Sequence, residues 1–276
     1  MSLAARGSSL LAPVRSSSRR THRRHSTRAT MSDGQKTLLT FDVDGTLIRA
    51  QGADANKFHK DAFAHGFREV FGIETNIDVV QHHGSTDQLI VEAVMRHHGV
   101  PDADIRAKMA AACQAMSAFA VERKSHAADG LELLPGVKTL LEKLSSNPDV
   151  AVCLVTGNLE PIAWAKMEKL GIAHLFTPPK FGGFGSDHTD RGELVRLAAE
   201  RAESLLGFEA HNTRRWHFGD TPNDMKAAEF AGATAVGLLT GIFSRDELAD
   251  SSEAAEPIIL DDLSDTSAVF AALGLH

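Results

Sequence analysis

The stretch TLLTFDVDGTLIRA, residues 37 to 50, sets two aspartates, Asp42 and Asp44, two positions apart at the end of an apolar run. A second acidic turn, GDTPND, closes another apolar run and adds Asp220 and Asp224. Alternation along an extended chain sends the side chains of Asp42 and Asp44 roughly the same way, toward the strand tip. If the two turns meet, as many as four carboxylates share one pocket, and each pair about 4 Å apart repels by about 4 kcal/mol at an effective dielectric near 20. Something positive must sit between them. Oxygen ligands with no thiol or imidazole nearby select a hard cation, and a small ion that keeps waters and phosphate oxygens suggests Mg²⁺ at Asp42, Asp44, Asp220 and Asp224. An EF-hand-type calcium loop does not fit, because the glycine of DVDG is fourth rather than sixth and the twelfth position, Ala53, has no carboxylate.

Four apolar runs must position these turns: Thr37 to Phe41, Val150 to Val155, Trp216 to Phe218 and Thr234 to Leu239, ending in DVDGT, TGN, GDTPND and TG. The segments between them carry helical periodicity, as in GVKTLLEKL, PIAWAKMEKLG, ELVRLAAERAESLLG and NDMKAAEFAG. Strands alternating with helices predict an α/β fold, a doubly wound parallel (Rossmann-like) sheet covered on both faces, with ligands at the carboxyl ends of its strands. The alternation breaks once. Between Ala50 and about Leu134 only helical patterns follow one another, which predicts an all-helical cap, residues 50–134, inserted after the first strand and standing over its tip as a lid. The core domain is then 36–49 together with 135–276, preceded by a basic segment, 1–35.

At 276 residues and 43% hydrophobic the chain can bury a substantial core. Its net charge of -7 hides an asymmetry: residues 1–30 hold seven arginines and no acid, which leaves about -14 on the remainder. So acidic a globular part excludes nucleic acid and anionic membrane as expected partners. The Ser- and Arg-rich leader reads as a transit peptide for a mitochondrion or plastid, against a disordered tail or an upstream extension before a true start at Met31, in which case the protein is cytoplasmic. No apolar stretch approaches the roughly 20 residues that span a bilayer. Cys113 and Cys153 have neither metal nor redox spacing and read as buried free thiols, which fits a reducing compartment. A monomer is expected.

DVDGT, then the run ending in Thr156 and Gly157, then GDTPND resemble the first, second and fourth signature motifs of the haloacid dehalogenase superfamily, in order. The likeness covers about Lys36 to Leu263, and NDMKAAEFAGATAVGLLTG resembles the phosphoglycolate-phosphatase-like branch, whose helical cap matches residues 50–134. The resemblance implies a Mg²⁺-dependent phosphatase that hydrolyses a small phosphorylated metabolite. Asp42 would be the nucleophile that forms an aspartyl-phosphate, and Asp44 the acid and base. Thr156 and the backbone amides of Gly157 and Asn158 would hold phosphoryl oxygens. Asp44 also argues against a true dehalogenase, which lacks that second acid. A sugar phosphomutase of the same superfamily, or a binding protein that keeps the fold without turnover, are the alternatives.

The third motif departs from pattern, since the usual Lys-Pro is absent from FTPPKFGGFGSDHTDRGELVRLAAER. Arg191, just before a helical run, falls nearest the expected place and is favoured, with Lys180 its rival. HHGSTDQLI resembles the cap motif, so Ser85, Thr86 and Asp87 either face the substrate or merely cap the helix that follows. The pairs His82-His83 and His97-His98 do not suggest zinc, because neighbours on a helix do not share a face.

Overall fold

The computed structural model describes residues 34–52 and 54–275. The leader and the choice of Met31 as start therefore lie outside the described residues. Six parallel strands form the central sheet: β1 (Lys36–Phe41), β4 (Val150–Thr156), β5 (Gly182–Phe184), β6 (Thr213–Gly219), β7 (Thr234–Leu238) and β8 (Ile258–Leu260), in the order β5-β4-β1-β6-β7-β8. The two that periodicity does not reveal, β5 and β8, are the three-residue edge strands GGF and IIL, too short to alternate.

Period-two patterning explains the two covered faces. In β4, Val150, Val152 and Leu154 point into one layer while Ala151, Cys153 and Val155 point into the other. The first layer is closed by α4 (Val137–Ser145), α5 (Glu160–Lys169) and α9 (Thr266–Leu273), the second by α6 (Arg191–Leu206), α7 (Pro222–Phe230) and α8 (Arg245–Asp250). Each fully buried Leu or Phe contributes about 1.5–3 kcal/mol. Directly under the strand tips Phe41 and Phe218 stack with centroids 4.5 Å apart, a rigid floor for whatever follows them.

Between β1 and β4 the chain leaves the sheet through β2 (Ile48–Ala50) and returns through β3 (Leu131–Leu133), which pair antiparallel. This ribbon was not expected, because three residues on each side carry too little pattern; it ties both ends of the insertion to one place. The helices between are α1 (Lys57–Gly66), continued by a π-turn at Phe67–Phe71, α2 (Asp87–His97) and α3 (Asp102–Glu122). They close their own core around Phe63, Phe67, Val91, Met95 and Met116, and that core also takes in Leu159, Ile162 and Ala165 at α5. Helix α5 thus lies between the two, with Ala163, Trp164 and Met167 packed in the sheet layer and Ile162 and Ala165 packed on the helical block.

Candidate active site

Register brings the acidic turns together. Phe41 is level with Leu154 on one side and Phe218 on the other, so Asp42, Thr156 and Asp220 emerge at the tips of three adjacent strands. Asp224 arrives on the first turn of α7, where a local motif fixes it: the Thr221 hydroxyl accepts from the Asp224 amide while the Asp224 carboxylate accepts from the Thr221 amide, a capping box with Pro222 beginning the helix. Arg191 opens α6, whose N-cap Asp190 accepts from the amides of Gly192 and Glu193.

Oxygens of Asp42, Asp220 and Asp224 lie within 4.8 Å of one another, all three residues buried. Arg191 Nη1 donates across the group, 2.9 Å from Asp42 Oδ1 and 2.6 Å from Asp224 Oδ1. Behind Asp224, His217 Nε2 stands 3.4 Å from Oδ1 and Nδ1 stands 2.9 Å from the Thr40 hydroxyl. Asp220 is approached so closely by the backbone of Gly45 and Gly241 that an added Cβ would sit 2.3 and 1.8 Å from its carboxylate, and Gly45 has φ +90. Only glycine fits there.

The charges do not balance within this group: three carboxylates face one guanidinium. Burial, only partly offset by Arg191 and aggravated by Asp224 and Asp44, pushes Asp42 up to about 6. Burial, then Asp224 and Asp42, push Asp220 up to about 8. Asp224 goes the other way: burial works against its charge, but Arg191 and hydrogen bonds from His217 and Thr221 hold it well below the usual carboxylate range. A deficit of two positive charges among converging hard oxygens is a donor set suited to a small divalent cation.

Asp44 corrects the expectation drawn from strand alternation. The chain turns at Val43, so its carboxylate does not join the other three; Lys166 Nζ holds it at 2.9 and 3.0 Å and Asn158 Nδ2 at 2.8 Å. Its side chain is therefore placed apart from the group that could hold a metal. Burial alone would raise its pKa, yet Lys166, then His59 and the hydrogen bonds of Lys166 and Asn158, hold it below the ordinary value. Lys166 is fully buried and also contacts Asn158 Oδ1 at 2.8 Å and His59 Nδ1 at 3.3 Å.

Of the other residues singled out, Thr156 is buried, with its hydroxyl 3.1 Å from Asn158 Nδ2. Gly157 is where the helical block touches the sheet layer: its carbonyl accepts from the Asp87 amide at 2.8 Å, and a Cβ on it would lie 2.5 Å from the Ser85 carbonyl oxygen. Thr86 occupies the N-cap position of α2, but its hydroxyl bonds the Thr189 carbonyl rather than the helix. Asp87 is buried, and its Oδ2 accepts from the Leu159 amide at 2.8 Å and meets His59 Nε2 at 3.0 Å; it seats the block instead of facing an open cleft. Lys180 is not brought to the acidic group: it is exposed, paired with Glu168 at 2.9 Å and lying over the Trp164 ring. A cavity of about 320 Å³ borders the site at Arg191, between Ser85 and Thr86 of the block and Asn223 and Lys226 of α7.

The family model for haloacid dehalogenase-like hydrolases matches residues 36–232, which takes in β1, the helical block and both acidic turns. The chain belongs to that family. No curated protein matches this haloacid dehalogenase-like hydrolase as a relative. Among solved structures it is similar to a hydrolase from Pseudomonas syringae (22% identity, covering 87% of this chain and 99% of that one, TM-score 0.56). Others are a predicted phosphoglycolate phosphatase from Haemophilus somnus 129PT (18% identity, 89% and 99%, TM-score 0.54) and a β-phosphoglucomutase from Clostridium difficile (15% identity, 87% and 96%, TM-score 0.53). At these identities the fold is what is shared. It is the hydrolase fold predicted from the motifs, with Arg191 standing between Asp42 and Asp224.

Lys166 and His59 escaped the sequence reading, although a signal existed for both. Lys166 stands at an apolar-stripe position, four after Ile162 and seven after Leu159, and His59 lies beside Phe58 with Ala62 and Phe63 on the next turn. A charged or polar residue at such a position has a partner inside the protein.

Proposed function

We propose that the protein is a Mg²⁺-dependent phosphomonoesterase acting on a small phosphorylated metabolite, through an aspartyl-phosphate at Asp42. The observation that carries this reading is the division between the two aspartates. Asp42 sits among the carboxylates with Arg191, while Asp44 is held separately by Lys166 and Asn158. A nucleophile and an acid/base serving one displacement need that separation, because they act on opposite sides of the phosphorus.

Asp42, Asp220 and Asp224 would hold the cation, which supplies positive charge to bring an anionic nucleophile and an anionic ester together. Arg191 orients the Asp42 carboxylate and retains a buried Nε–H with no acceptor among the described residues, a donor open to an anionic group. Thr156 and the amides of Gly157 and Asn158 would receive phosphoryl oxygens, the Asn158 amide now donating to the Thr156 hydroxyl at 3.3 Å. Asp44 rests ionised beside Lys166; a dianionic phosphoryl group arriving next to it favours uptake of a proton, which Asp44 hands to the leaving oxygen. As a carboxylate again, it takes the proton of the water that attacks the aspartyl-phosphate.

Phosphate release from a panel of small phosphate esters, with Mg²⁺ and with EDTA, tests the reading. Turnover that needs Mg²⁺ is expected; transfer of the phosphoryl group to a second sugar hydroxyl without release would mark a phosphomutase, and no turnover of any ester would mark a binding protein.

A further inference from the structure

Lys166 is an ammonium with no solvent contact, a costly arrangement unless each of its three N–H groups has an acceptor. Three acceptors surround it: the Asp44 carboxylate at 2.9 Å, Asn158 Oδ1 at 2.8 Å and His59 Nδ1 at 3.3 Å. The chemistry of these groups gives the chain a single polarity. An ammonium offers no lone pair, so the lone pair of His59 Nδ1 faces it and the ring hydrogen sits on Nε2, which donates to Asp87 Oδ2 at 3.0 Å. By the same logic the Asn158 carbonyl faces Lys166, which turns its NH₂ toward Asp44 Oδ2 at 2.8 Å and the Thr156 hydroxyl at 3.1 Å. Lys166 therefore dictates the orientation of Asp44 directly and of Asn158 as well. Two members of the network, His59 and Asp87, come from the helical block, and the rest belong to the sheet layer.

We propose that Lys166 is a positioning residue for Asp44, and that His59 and Asp87 complete its shell only when the helical block is seated on the strand tips. The proposal rests on the reading of Asp44 as the acid and base of a phosphatase. Seating the block and aiming Asp44 are then one event, because lifting the block removes an acceptor from Lys166 and opens it to water.

The test uses aryl phosphates running from p-nitrophenyl phosphate, whose leaving group needs no proton, to phenyl phosphate, whose leaving group does. Lys166→Met is expected to lose about 10²-fold in kcat/KM on phenyl phosphate, the scale of a catalytic group displaced by about 1 Å, and far less on p-nitrophenyl phosphate. His59→Phe is expected to shift the ratio the same way by a smaller factor. His59→Gln, whose amide oxygen still accepts from Lys166, is expected to restore it. Equal losses on both esters would overturn the proposal, as would an unchanged ratio. Should Lys166→Met fail to fold, the His59 pair decides by the same ratio. A crystal structure of Lys166→Met keeps the proposal separate from the phosphatase reading. Should the wild type hydrolyse neither the aryl phosphates nor any other ester of the panel, that reading fails, and the positioning claim then stands if Asp44 and Asn158 have reoriented and falls if they have not.

Discussion

Raising the pH on metal-free protein perturbs the acidic cluster most directly. Burial and neighbouring carboxylates raise Asp42 to about 6 and Asp220 to about 8, both above the ordinary 3.8 they adopt when the chain unfolds. Between the unfolded and folded values the native state keeps a proton that the unfolded state has released, so stability falls as pH rises through that window. From pH 6 to pH 8 mainly Asp220 keeps its proton. One proton held across two pH units, at about 1.36 kcal/mol per unit, corresponds to about 3 kcal/mol. In a chain of this size that lowers Tm by about 6–12 °C. Saturating Mg²⁺ should bind the ionised carboxylates and remove most of the slope, so that the increment in Tm between Mg²⁺ and EDTA is expected to grow with pH. Thermal melts at pH 6, 7 and 8, with and without Mg²⁺, read this out, and Asp220→Asn in EDTA isolates the group, since its melting temperature should change less with pH than the wild type's. A melting temperature in EDTA that stays level or rises from pH 6 to 8 would refute the electrostatic account of the cluster.

Asp42→Asn should abolish turnover while leaving Tm within a few degrees, because an amide does not attack phosphorus; phosphate release and a melt together check it. Asp44→Asn should lose about 10² to 10⁴ in kcat/KM on an alkyl phosphate and much less on p-nitrophenyl phosphate, and equal losses would leave Asp44 only an electrostatic role. Gly157→Ala puts a Cβ 2.5 Å from the Ser85 carbonyl oxygen and should unseat the block, seen as faster proteolysis between residues 50 and 134 together with lower kcat/KM. A chain started at Met31 should match the full chain in Tm and kcat/KM, since residues 1–30 hold no periodic apolar face to dock.

What could be read in advance followed from the length of each pattern. β1, β4, β6 and β7 announce themselves as apolar runs closed by polar turns, and the register of their tips then follows from the parallel fold. β5, β8 and the β2–β3 ribbon have three residues apiece, below the length at which alternation means anything. Asp220 and Asp224 could be placed beside Asp42 because Asp42 and Asp220 directly follow strand ends and Asp224 lies in the same acidic turn as Asp220, on the first turn of the helix that follows. Asp44 could not, because its direction is set by a turn and by Lys166, a residue 122 positions away. Lys166 itself looks like one more surface lysine in PIAWAKMEKL until its place on the apolar stripe is counted. Arg191 over Lys180 was legible from its position at a helix start, whereas the seating role of Asp87 depends on the Leu159 amide and His59, which only the folded chain brings near.

Covalent capture at Asp42 tests the central claim most directly. Protein mixed with Mg²⁺ and the best phosphate ester from the panel, quenched in mid-turnover and reduced with borohydride, converts an acyl phosphate to the corresponding alcohol. Peptide mass spectrometry should then find the reduced side chain at residue 42 and nowhere else, and should find none when Mg²⁺ is withheld. Brisk phosphate release with an unmodified Asp42 peptide in every quench, or reduction at another carboxylate, would contradict the account.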